Sequence, residues 1–115
     1  SGPYLQYAYV RALSVLKKAA KEKVKPSFKV VPNTVGNLEK MLCRFEEVVQ
    51  KAGQHYEPHI ITLYLTELAR EFNNYYAHHK IVEKGGGYKI AITQAFSHVM
   101  KNGLWLLGIS SPAKM

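Results

Sequence analysis

Three side chains near the N-terminus have the types and the spacing to hold a flat polar molecule: Tyr4, Tyr7 and Arg11, in the stretch "PYLQYAYVR". At about 100° per residue of helix, positions i, i+3 and i+7 fall within about 60° of one another. Two phenol rings on one face can stack on an unpaired nucleobase while their hydroxyls stay in water. A guanidinium beside them can offer two parallel N–H donors to the O2 and N3 acceptors of a cytosine, a match that an ammonium cannot make. The simpler alternative is that Tyr4 and Tyr7 only flank a core and Arg11 pairs with a glutamate. Spacing alone leaves both open.

The charge balance bears on the choice. Sixteen Lys and Arg stand against eight Glu and no Asp, a formal net charge of +8, and an excess of that size attracts polyanions, nucleic acid first among them. Thirteen of the sixteen bases are Lys, so a solubilising coat explains the same numbers. Eight Tyr, four Phe and one Trp are more aromatic side chains than a small core requires, and tyrosine suits the reading of single-stranded loops.

Other chemistries find less support. With no Asp, no G-x-S-x-G and no P-loop pattern, and with Glu67 and Glu71 expected on a solvent face, no pair of carboxylates converges for acid–base work. The chain is read as having no catalytic site. His55 and His59 are four apart and His78 and His79 adjacent, but three metal ligands cannot be assembled from them. Gly85, Gly86 and Gly87 lack the strand and the Lys-Ser/Thr step of a phosphate cradle and read as a flexible interhelical loop. Cys43 lies in an apolar stripe and reads as a small buried hydrophobe.

The elements that must position these groups are helical. A chain of 115 residues, 47% apolar, suffices for one domain with a single core. No apolar run reaches the length of a membrane span and no signal-peptide layout opens the chain, so a soluble, cytoplasmic location is expected. Four amphipathic stretches show helical spacing, and none shows strand-like alternation. The first covers residues 3–23, with Pro3 in its first turn and Leu5, Ala8, Ala12, Val15, Leu16 and Ala19 as its core stripe. The proline-containing linker "KVKPSFKVVPNTVG" follows. The second covers 37–52, with Leu38, Met41, Leu42, Phe45, Val48 and Val49 apolar, Asn37 able to cap it and Gly53 able to end it. The third covers 58–79, with Ile61, Leu65, Leu68, Phe72, Tyr75 and Tyr76 on one side. The fourth covers 89–107, with Ile92, Ala95, Phe96, Val99, Met100 and Leu104, and stops at Gly108. An all-α fold, a compact bundle of four or slightly more helices, is the expected architecture.

Longer motifs narrow the reading. "GPYLQYAYVRALSVLKKA" resembles the start of the C-terminal anticodon-binding domain of arginyl-tRNA synthetase, the DALR domain, whose pattern runs G-P-Y-L-Q-Y-A-H-x-R. "LAREFNNYYAHH" resembles its L-A-x-x-F-N-x-x-Y segment, "MKNGLWLLGISSPAKM" its N-G-L-x-L-L-G-I-x-x-P-x-x-M ending, and "EPHIITLYLTELA" fits between. The resemblance runs along essentially all 115 residues, and three separated motifs in the right order are more specific than any one of them.

The resemblance implies that residues 1–115 are an all-helical piece of a larger synthetase, docking on the anticodon stem-loop of arginine tRNA beside the catalytic domain of the same enzyme. The fragment is expected to be monomeric and to carry no cofactor. ATP with Mg belongs to the absent catalytic domain, whose H-I-G-H and K-M-S-K-like motifs do not occur here. Every arginine codon has G in the middle, so the middle anticodon base is cytosine. Carried over by position, the family's pocket for that base maps to Tyr4, Tyr7 and Arg11. Its loop-stacking residues map to Tyr76 and Met115, with Asn73 a polar neighbour. Lys80, Lys101 and Lys114 are candidates for phosphate contacts from charge and proximity to the motifs.

The chain departs from the family pattern at Tyr9, where His is common, at Trp105, often polar, and in "PAKM", where P-E-R-M is usual. Trp105 reads either as an additional stacking platform or as a core ring. The rival from another class is a helical protein–protein interaction module using the Tyr- and Trp-rich surface. A basic membrane-surface domain fits less well, because each apolar stripe has partner helices to cover it.

Overall fold

Leu5, Ala8, Ala12, Val15 and Ala19 recur at helical spacing. In the computed structural model, which describes residues 2–108, they form the buried face of a 20-residue helix, α1 (Gly2–Lys21). Four more helices follow: α2 (Asn37–Leu42), α3 (Phe45–His55), α4 (His59–His78) and α5 (Gly87–Leu106). The described residues contain no strand. The fold is all-α, as the periodicity predicts.

Helix α1 packs chiefly on α5 and also on α4, while α3 packs on α4 and α2 on both α4 and α5. The α4–α5 seam centres on Phe72 and Phe96, whose rings stack with centroids 4.2 Å apart and planes 9° from parallel. Around them Leu5, Leu65, Leu68, Ile90, Met100 and Leu104 are fully buried. Tyr9 is also in the core at 6% exposure, so the departure from the family's His lies away from the surface. Among the described residues no helix is long and apolar enough to cross a membrane.

The expected helix over 37–52 is two helices, parted at Cys43 and Arg44. The cause lies 23 residues away in sequence: the Tyr64 hydroxyl donates a 2.6 Å hydrogen bond to the Met41 carbonyl. In an unbroken helix that carbonyl would accept from the amide four residues on. Here the Arg44 amide takes it at 3.0 Å instead, a tighter turn of 3₁₀ type. Three local expectations change with the break. Cys43 is exposed rather than buried. The N-cap of α2 is Gly36, with Asn37 its first residue, and no side chain caps it. Gly53 lies inside α3, which ends at Tyr56 in the left-handed region, φ 54°.

The glycine loop is not a mere spacer. Gly85 has φ +80°, open to glycine at no steric cost. At Gly87 a side chain would come within 2.8 Å of Ser27 Cβ and 2.9 Å of the Lys25 carbonyl oxygen. The proline-containing linker crosses here, and its Ser27 amide donates 3.0 Å to the Gly87 carbonyl. A flexible loop was the expectation; a backbone crossing that needs a bare Cα is what the structure contains.

Candidate nucleic-acid interface

One residue ahead of the buried stripe, α1 carries a second row at the same spacing: Tyr4, Tyr7, Arg11, Ser14 and Lys18. The last two turns of α4 lie against it. The Arg11 Nη1 donates a 2.9 Å hydrogen bond to Asn73 Oδ1, and Asn73 Nδ2 donates 3.2 Å to the Tyr4 hydroxyl oxygen. The guanidinium carbon lies 4.6 Å from the centroid of the Tyr76 ring and 5.4 Å from that of Tyr7. Both distances suit a cation over an aromatic face.

Arg11 and the four residues foreseen around it, Tyr4, Tyr7, Asn73 and Tyr76, therefore converge, though with altered roles. The rings flanking the guanidinium are Tyr7 and Tyr76, whereas spacing paired Tyr7 with Tyr4. Tyr4 reaches the arginine only through Asn73. Among the described residues no glutamate pairs with Arg11, whose partners are the Asn73 amide and two rings. The rings are open to solvent, Tyr4 at 39%, Tyr7 at 54% and Tyr76 at 43%, so they flank the core and still present a face.

A cleft of about 860 Å³ opens beside this cluster, between α1 and the segment that follows α4. Arg11, Lys18 and Lys80 supply positive charge to its walls, with Ser14 and His79 among the polar groups and no carboxylate. The C-terminal carbonyls of α4, which would repel an anion, are partly covered: the Nδ1 atoms of His78 and His79 lie 2.8 and 3.0 Å from the carbonyl oxygens of Asn74 and Tyr75. Burial pushes the Tyr75 phenol behind them up to about 12, so it is neutral at ordinary pH.

The remaining candidates are dispersed. Lys101 is exposed on α5 and does not line the cleft. Lys114 and Met115 lie outside the described residues. Trp105 is 77% exposed, which excludes the core reading. Ser14 and Lys18 were not singled out from the sequence, although Lys18 lies seven residues beyond Arg11 and spacing alone points to it. His79 was considered only as a metal ligand.

Comparison with known proteins decides the family. The pattern of the DALR anticodon binding domain matches residues 5–115. The chain belongs to the DALR anticodon-binding domain family. Similar proteins to this DALR domain include the arginine–tRNA ligases of Limosilactobacillus fermentum, 38% identical over 122 residues, and of Pyrococcus abyssi, 37% identical over 123. Each alignment takes in 100% of the chain, which spans only 21% and 20% of the two proteins. The arginyl-tRNA synthetase structure of Thermus thermophilus superimposes with a TM-score of 0.76 at 30% identity, over 100% of the DALR domain and 21% of that chain. A Campylobacter jejuni chain gives a TM-score of 0.82 at 24% identity, a likeness of fold.

Proposed function

We propose that this DALR domain binds the anticodon stem-loop of arginine tRNA within a larger arginine–tRNA ligase and selects it by the middle anticodon cytosine. The observation that carries the reading is the braced guanidinium: Arg11 is held between Tyr7 and Tyr76 and tied to Asn73. Asn73 occupies one of its five N–H donors, and enough remain to meet the O2 and N3 acceptors of cytosine. Uracil presents a donor at N3 and would leave one arginine N–H opposed. Holding the guanidinium in place before binding lowers the ordering cost of the contact.

Around that contact, the exposed faces of Tyr4, Tyr7 and Tyr76 stack on bases of the loop, and Met115 adds a polarisable surface. Lys80, Lys101 and Lys114 attract phosphates without choosing among sequences. Aminoacylation, with its ATP and Mg, belongs to a domain outside this chain, and the domain works as a monomer in the cytoplasm. The competing reading, a helical protein-interaction module, draws on Trp105 and on Leu106 beside it, 44% exposed.

Arg11→Ala tests the proposal. Binding of the arginine tRNA should weaken by about 1–3 kcal/mol, with little change for a tRNA whose middle anticodon base is substituted. Equal losses for both tRNAs would refute it. Salt separates the competing class, because RNA binding falls steeply with ionic strength and an aromatic protein interface does not.

A further inference from the structure

The cleft beside Arg11 is larger than a single base edge requires, and two of its charges, Arg11 and Lys18, succeed one another along α1. Ser14 is three residues beyond Arg11 on α1 and Lys18 is seven beyond. That is about 10 Å of helical rise, comparable to the rise of about three stacked nucleotides. Lys80 lines the same cleft from the segment after α4. We propose that Lys18 and Ser14, with Lys80 opposite, form a phosphodiester subsite that holds the RNA strand within three nucleotides of the base read by Arg11. The inference rests on the RNA-binding reading above and assigns the residues that fix the strand's path.

The chemistry of the cleft supports a phosphate rather than a second base. Two ammonium groups and a hydroxyl supply donors, no acid lines the walls, and Lys18 and Ser14 are exposed and, among the described residues, tied up in no side-chain hydrogen bond or ion pair. The cleft's two rings, Tyr7 and Tyr76, stand at the Arg11 end, and the rest of its apolar lining, Val10, Val15, Ala77, Ile81 and Val82, is aliphatic and offers no ring to stack on a base. His79 spends its Nδ1 on the Tyr75 carbonyl, which leaves Nε2 as its available nitrogen. Fixing the backbone there would set which nucleotide reaches Arg11, since a phosphate contact defines register without carrying sequence information.

The test pairs Lys18→Gln with anticodon stem-loops in which single loop phosphodiesters are replaced by neutral methylphosphonates. For the unchanged domain, one or two replacements near the middle base should weaken binding about threefold to fivefold. In Lys18→Gln those same replacements should cost clearly less, only Lys80 and Ser14 remaining to meet the phosphate, and the salt dependence should fall by about 0.7 in log–log slope. Equal penalties at every position in both proteins would overturn the subsite. Preference for cytosine over uracil at the middle position is measured in the same titrations: its absence in the unchanged domain refutes the base-reading proposal, while its presence with additive penalties refutes only the subsite. No binding by the unchanged domain at all would overturn both.

Discussion

Helix α1 carries two rows of side chains with the same spacing, displaced by one residue. Leu5, Ala8, Ala12, Val15 and Ala19 are all buried, whereas Tyr4, Tyr7, Arg11, Ser14 and Lys18 lie on the adjoining, more open face. The buried row is mostly small, which lets α5 and α4 approach closely. The open row is large, aromatic and basic, and its polar contacts come from one partner residue, Asn73. A rotation of about 100° therefore separates residues that hold the fold together from residues proposed to meet RNA. The second group can be that rich in charge and aromatic surface because the first already secures the helix.

Truncating the buried row should produce the largest effect. Leu5 is 1% exposed, and Leu5→Ala should destabilise the fold by about 2–5 kcal/mol in urea titrations. The molecules that remain folded should keep the wild-type preference among tRNAs. The Arg11→Ala change described above is its mirror image, expected to leave the urea midpoint nearly unmoved while removing the preference. A Leu5→Ala protein that kept full stability but lost its choice of base would break the division between the two faces.

A smaller effect is expected where the structure departs from sequence periodicity. Tyr64→Phe removes the hydroxyl that donates to the Met41 carbonyl and should cost about 0.5–1.5 kcal/mol at neutral pH. Burial, partly opposed by the Arg44 charge, raises the Tyr64 phenol from 10.0 to about 12, and burial raises Tyr75 similarly. The unfolded chain gives up these protons near pH 10 and the folded chain holds them, so their contribution is complete below about pH 10 and fades as pH rises toward 12. Urea titrations at pH 8 and pH 11 should show a smaller alkaline loss in Tyr64→Phe than in the unchanged protein. An identical loss would exclude Tyr64 as a source.

That hydrogen bond also marks the limit of what the sequence discloses. The stripes of α1, α4 and α5 were legible because each is a local repeat whose apolar members, Tyr76 of α4 excepted, face one core. The break at Cys43 and Arg44 was not, because it depends on a phenol from another helix, and Cys43 changed environment with it. At the candidate site, Tyr4, Tyr7 and Arg11 were legible from spacing, and Asn73 and Tyr76 only from a longer motif, since nothing in their own helix announces that α4 lies against α1. Lys18 was legible by the same spacing as Arg11, but a lysine among thirteen carries little information until a cleft without acids is seen beside it. Trp105 follows the buried Leu104, and one step of 100° at the end of α5 takes a side chain from core to solvent.

The smallest predicted effect concerns how far the two faces of α1 are independent. Tyr4 contributes an acceptor, its hydroxyl oxygen, to Asn73 Nδ2 at 3.2 Å, and Asn73 in turn accepts from Arg11. Because Tyr4 is exposed, water can replace its hydroxyl, and Tyr4→Phe should change stability by less than about 0.5 kcal/mol. The phenylalanine ring can still stack, so any loss in binding reflects the freed carboxamide of Asn73. With one anchor gone, that group can rotate and turn its NH2 toward the guanidinium, which disfavours the arginine position required for reading a base. Affinity for the arginine tRNA should fall about twofold to fivefold and the preference for cytosine should narrow without vanishing. A uniform loss across tRNAs would instead make Tyr4 a stacking platform alone, and the path from Tyr4 through Asn73 to Arg11 would carry no part of the selectivity.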